Sequence, residues 1–230
     1  MLLVVWVRGR VPHFPGEAAG ARTPPREVAA LPGVGAVLSV TLLLLPGHQV
    51  YRCTGPFARH TGFGSTELVL MVFGVSTPAG VWPAGSLADR WLRRTLLTAL
   101  AVIALAVPVP GSSVGGPAVL LGAVTLWGAA FGGAPTPIQT ALVDASGPEH
   151  PDVATSLQTT VCNAGIAAGS FAGGLVLEGL GAAFPPWTSL PLVAAAPAVV
   201  ALGRGRAFPG GGPLEASHRG AGSGGIVAAV

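Results

Sequence analysis

The residues able to do chemistry fall into three small groups. "GHQVYR" brings together His48, Gln49, Tyr51 and Arg52 toward the end of an apolar run. His48 titrates near physiological pH when unperturbed, so it is either a proton carrier or an interfacial histidine beside an aromatic-belt tyrosine. The second group is the amides Gln139, Gln158 and Asn163, each inside an apolar run. Amides within a membrane rarely face lipid, because an unsatisfied polar group is costly there; they line a substrate path or bond across helices. The third group is "AGSLADRWLRR", residues 84–94, an island of charge between two long apolar stretches. Asp89 can accept charge-assisted hydrogen bonds from an arginine or from a helix N-terminus, which would cross-link the inner ends of two helices. A plain cationic anchor would need Arg90, Arg93 and Arg94 but neither Asp89 nor Gly85.

No catalytic constellation accompanies these groups. The chain has no HExxH, nucleophile elbow, P-loop or dinucleotide fingerprint. Cys53 and Cys162 are far apart and lack CxxC spacing, so neither a disulfide framework nor a metal site is indicated. The sequence predicts no enzyme, no cofactor and no metal.

The elements that carry these residues follow from composition. Half of the 230 residues are hydrophobic and 9% are charged, against about 25% charged in soluble domains. The net charge of +3 comes from arginines scattered between apolar runs, with no continuous basic stripe, and so does not indicate nucleic acid. Six apolar runs follow one another at roughly 34–54, 66–86, 95–111, 117–142, 153–177 and 186–203. A helix crosses the hydrocarbon core with about 20 apolar residues, and alternation at period two, the mark of a membrane barrel, is absent. The predicted fold is an all-α integral membrane bundle of six transmembrane helices over 34–205. Residues 1–33 read as an irregular segment, outside native coding sequence in one reading, and 206–230 as a flexible glycine-rich tail. Proline and glycine within the runs (Gly74, Pro78, Gly80, Pro83, Gly132, Pro135, Pro137) are compatible with membrane helices, whose neighbours re-satisfy freed backbone groups.

Arginine placement sets the orientation. With the N-terminus inside, the cytoplasmic side receives Arg8, Arg10, Arg22, Arg26, Arg90, Arg93, Arg94, Arg204, Arg206 and Arg219, and the outer side Arg52 and Arg59. Both termini are therefore expected in the cytoplasm, with the chain in the plasma membrane.

In that topology the charged cluster joins the second and third spans, and there the chain resembles the major facilitator superfamily of secondary transporters. The family's loop signature, G-x-L-A-D-R-x-G-R-R/K, is matched by Gly85, Leu87, Ala88, Asp89, Arg90, Arg93 and Arg94. Leu92 stands where the family has its second glycine. "PGHQVYRCTGPF", "LWGAAFGGAPTPIQTAL" and "SLQTTVCNAGIAAGSFAGGLVLEGLG" resemble the seventh, tenth and eleventh spans of the sugar-efflux and drug–proton antiporter branch. The resemblance covers roughly 34–205 and implies the C-terminal six-helix half of a twelve-helix carrier.

Within the fifth run, Gln158, Cys162, Gly165, Gly169 and Gly173 fall at steps of four, three, four and four, on one helical face. Gly165, Gly169 and Gly173 form a small-xxx-small pattern that admits another helix at close range; helix packing is preferred here to a direct part in transport. Gln139 follows Gly132 by seven residues and Gly128 by eleven, again on one face.

The resemblance implies small-molecule export by alternating access, with the bilayer, a small-molecule substrate, protons and a missing N-terminal half as partners. Glu67, Asp144 and Glu178 sit near span ends, so a proton-coupling carboxylate is expected in that other half. The alternative is a non-transporting membrane fragment of a split or misread carrier gene.

Overall fold

A computed structural model of the chain describes residues 23–45, 66–109, 112, 116–181, 184–204 and 207–208. All regular structure among the described residues is helical, in the order α1 (Pro25–Ala29), α2 (Val34–Leu44), α3 (Thr66–Ala106), α4 (Pro117–Gly133), α5 (Pro135–Ser146), α6 (Pro151–Leu180) and α7 (Pro185–Leu202). Proline opens α1, α4, α5, α6 and α7. At a first turn its missing N–H has no intrahelical partner to lose, and its fixed φ already suits the helix. Among the described residues, four stretches are long and apolar enough to cross a membrane: Thr66–Ala106, Pro117–Ser146, Pro151–Leu180 and Pro185–Leu202.

The 41 residues of α3 would reach about 60 Å if straight, twice the roughly 30 Å of a hydrocarbon core. They are not straight. Trp91 leaves the helical region, with φ −139° and ψ 40°. Gly80 and Val102, 22 residues apart, line the same cavity, whereas an unbroken helix would hold them about 33 Å apart. The chain therefore doubles back at Trp91, giving a first arm, 66–90, and a second, 92–106. The second and third apolar runs are these two arms.

α4 and α5 form one rod across Ala134, whose αR backbone keeps the ladder running: the Ala134 N–H donates to the Ala130 carbonyl at 3.0 Å, and the Ile138 N–H to the Ala134 carbonyl at 3.3 Å. The interruption comes from Pro135 and Pro137, which have no N–H to give. Gly147 (φ +73°) turns the chain from α5 into α6, and Gly181 (φ +93°) ends α6. Both conformations are strained for residues with a Cβ.

The main core lies where α2, the second arm of α3, α5 and α7 meet. α2 presents Val34, Val37, Val40, Thr41 and Leu44 as a buried helical stripe, and the Thr41 hydroxyl donates to the Val37 carbonyl at 3.0 Å. Leu96, Leu100 and Ile103 answer from α3, Ile138 and Leu142 from α5, and Val193, Ala196 and Val200 from α7. Two residues from outside the expected bundle join this core. Val28 of α1 is fully buried although it lies in the segment expected to be irregular, and Phe208, in the expected tail, is equally buried beside Gly203. In each case a lone apolar side chain in a Pro/Gly-rich context finds a hollow that only the folded bundle provides.

Of the first run, residues 46–54 lie outside the described residues, as do most of 1–33 and of 206–230.

Candidate functional site: a charged turn, a glycine seam and a polar stripe

The signature residues occupy the turn of α3. Helix continues through Gly85, Leu87, Asp89 and Arg90, where a loop was expected, and the reversal is confined to Trp91. Asp89 and Arg90 are exposed, and among the described residues no ion pair joins Asp89 to an arginine. The expected carboxylate clamp is therefore not what closes this turn. Arg94 instead lies over the Trp91 ring, its Cζ 4.4 Å from the centroid, and the Thr95 hydroxyl donates to the Trp91 carbonyl at 3.1 Å. The aromatic face and the guanidinium attract through the ring quadrupole. Arg93 is half-buried, and its Nε is wholly buried without a hydrogen-bond partner. Leu92 packs against the main core. Because the turn is taken one residue earlier, at a negative φ, position 92 needs no glycine, which accounts for the one departure from the family signature.

The tightest helix contact joins the first arm of α3 to α4. A Cβ at Gly80 would overlap the Ala129 backbone, and one at Gly132 the Thr77 backbone. At Gly128 a Cβ would stand 3.0 Å from the Phe73 carbonyl oxygen. Contacts step from Phe73–Gly128 to Thr77–Gly132 and Ala84–Gly133, so the two helices run parallel. Phe73 and Trp127 close the seam with ring centroids 4.8 Å apart. Without a hydrophobic driving force between helices in lipid, such close backbone approach supplies much of the association energy.

The glycines of α6 behave differently. Gly165 is buried and faces the Leu45 and Leu42 side chains of the α2 segment, not another backbone. Gly165 and Gly169 border a hollow of about 380 Å³ shared with Leu42, Leu43, Ser189 and Leu192. Gly173 is buried on the same face. The expected face is thus the inner one, but it makes room beside α2 and α7 rather than a tight seam.

The amides do not converge. Gln158 is buried, 7% exposed, on the inner face of α6, whereas Asn163 is exposed. Gln139 is exposed as well, although Gly128 and Gly132 are covered by α3; that cover does not extend down the rod to Gln139, so the shared face predicted by spacing is not shared burial. His48, Gln49, Tyr51 and Arg52 lie outside the described residues.

One feature of α6 is absent from the sequence expectations. Thr155, Ser156, Thr159, Thr160 and Asn163 are all exposed, at steps of one, three, one and three, so they form one polar stripe turned away from the buried Gln158 and Gly165. Thr155, Thr159 and Thr160 donate to the carbonyls of Pro151, Thr155 and Ser156 at 2.8–3.0 Å. Each hydroxyl oxygen is left as an outward-facing acceptor. The signal was present in "ATSLQTTVCN" as hydroxyl residues at helical spacing.

A cavity of about 480 Å³ lies between the two arms of α3 and α4, with mainly apolar walls including Pro83, Leu87, Val102 and Leu126, and with Trp91 and Arg94 on its lining. Cys162 is a free thiol, and among the described residues no group of three His, Cys, Asp or Glu side chains is placed to hold a metal.

Comparison with known proteins follows the same outline. Residues 5–219 match the family described as the Major Facilitator Superfamily. The protein named "Probable sugar efflux transporter" of Mannheimia succiniciproducens is 28% identical over 191 residues, covering 80% of this chain and 47% of that protein. A crystal structure of a peptide transporter, POT, carrying an E310Q substitution and bound to alafosfalin, superposes with a TM-score of 0.65 at 15% identity. It covers 81% of this chain and 43% of the transporter, and at that identity the likeness is one of fold. The chain thus spans about half the length of the proteins it matches.

Proposed function

The chain belongs to the Major Facilitator Superfamily and is a multi-pass membrane protein; we propose that it forms one six-helix bundle of a secondary carrier that exports a small, hydroxyl-rich solute. The six spans are the run beginning with α2, the two arms of α3, the α4–α5 rod, α6 and α7. The charged turn at Trp91 faces the cytoplasm of a plasma-membrane protein with both termini inside.

The observation that carries this reading is the polar stripe of α6. α6 is far less buried than the α4–α5 rod, yet its exposed side holds Thr155, Ser156, Thr159, Thr160 and Asn163. A stripe of that polarity is costly against lipid. It is suited to a water-filled path between two bundles that rock about a midplane site. The outward hydroxyl oxygens accept hydrogen bonds, and Asn163 adds an amide that both donates and accepts. That array complements sugar hydroxyls, the substrate class in the name of the Mannheimia relative. Between Thr155 and Asn163 the stripe holds no ionisable side chain, and the exposed Asp152 stands one turn before it at the helix start; a mid-span coupling carboxylate for proton antiport is assigned to the facing bundle. That bundle is a second six-helix half, on a separate segment or in a second copy.

Proteoliposomes containing the full chain, alone and with a complementary N-terminal bundle, should be tested with labelled mono- and disaccharides under an imposed proton gradient. Saturable sugar flux that responds to the gradient supports the proposal. Absence of flux in both preparations would leave the non-transporting membrane fragment as the correct account.

A further inference from the structure

We propose that the cavity between the arms of α3 and α4 is a binding site for an anionic phospholipid, whose phosphate meets Arg94 and whose acyl chain enters the cavity. The inference requires membrane insertion but not transport.

Three observations converge on an amphiphilic anion. First, the cavity, about 480 Å³, falls within the range of small-molecule sites. Its Leu87 and Leu126 are 50% and 59% exposed, so it opens to the surroundings rather than being sealed in the core. Secondly, its walls are mainly apolar, with Thr95 and Thr98 as uncharged polar residues, and the one charged residue on its lining is Arg94. The stack on Trp91 pre-orients that guanidinium, and a planar fork of donors suits phosphate oxygens. Thirdly, the turn carries Arg90, Arg93 and Arg94 against the single carboxylate of Asp89, and no ion pair among the described residues uses them up. A neutral lipid would satisfy the walls but leave this positive charge uncompensated. A free phosphate would do the opposite. A phospholipid with net negative charge does both, from the leaflet where arginines of this chain are expected to concentrate.

The test is lipid retention by the full chain, extracted with equimolar phosphatidylglycerol, phosphatidylethanolamine and phosphatidylcholine and measured by native mass spectrometry. Phosphatidylglycerol should be retained preferentially. Arg94→Gln should reduce that retention about fivefold, the usual effect of one basic residue at a charged membrane surface. Leu126→Trp, which fills the cavity from an exposed position, should reduce it comparably without removing charge. Arg204→Gln, at the end of α7 and off the cavity lining, should leave it unchanged. Equal retention of the three lipids would overturn the proposal, as would equal losses from Arg94→Gln and Arg204→Gln. Displacement by glycerol phosphate as effectively as by the intact lipid, or indifference to Leu126→Trp, would also overturn it by showing that the acyl chain has no place there.

Discussion

Arg94 stacks on Trp91 at the single non-helical residue of α3, with Cζ 4.4 Å from the ring centroid. This pair, and not a carboxylate–arginine bridge, closes the reversal that lets two apolar runs lie side by side. Cation–π contacts contribute about 0.5–2 kcal/mol, depending on solvation. Trp91→Ala should therefore lower the midpoint of thermal unfolding in detergent, while Trp91→Phe, which keeps a ring, should recover much of the loss. Equal stability of the two variants would remove the stack from the account.

Asp89 gives the complementary prediction. It is exposed and makes no ion pair within the described residues, so Asp89→Asn should leave unfolding within about 0.5 kcal/mol of the parent, as for most surface changes. In a complete carrier the same change is expected to slow transport with little loss of substrate affinity, through contacts made outside this bundle. A large drop in stability of the isolated chain would place the role of Asp89 inside it.

Glycines at similar helical positions should differ sharply in tolerance. Gly80→Ala and Gly132→Ala force a methyl onto the backbones of Ala129 and Thr77, and should each cost about 1–3 kcal/mol or more by prising α3 from α4. Gly85→Ala has nothing within 4 Å of the added carbon and should be neutral or slightly stabilising, since alanine is the better helix former. Similar unfolding midpoints for all three would contradict the seam.

These contrasts mark what the sequence made legible. Runs of apolar residues announced the membrane-length helices, because length and hydropathy are local properties, and the island at 84–94 announced the reversal because charge cannot sit in mid-span. Which glycines meet a backbone depends on the partner helix. Gly80 and Gly132 form the tight seam, while Gly165 in the more regular pattern meets only leucine side chains. Gln139 shares an angular position with Gly128 and Gly132 but not their cover, since spacing describes one helix and burial describes its neighbours. Val28 and Phe208 were hidden for the same reason. Leu92 became intelligible only once the turn was located at Trp91.

Two amides of α6 five residues apart should separate stability from transport. Asn163→Leu should leave the fold intact but raise the KM for sugar flux about threefold to tenfold, the loss of one hydrogen bond. Gln158→Leu acts on the buried inner face, and its effect should be read first in unfolding. Reversed phenotypes would exchange the two faces.

The central claim, that the polar stripe of α6 lines an aqueous path, is tested most directly by thiol accessibility in intact membranes. In a Cys53→Ser, Cys162→Ser background, Asn163→Cys is compared with Leu105→Cys, which replaces an exposed leucine, 75% accessible, on the second arm of α3. A membrane-impermeant, water-soluble thiol reagent should label position 163 and spare position 105, and added sugar should slow the labelling. An unreactive position 163, or equal labelling at both positions, would mean that the stripe meets lipid or protein and that the path lies elsewhere.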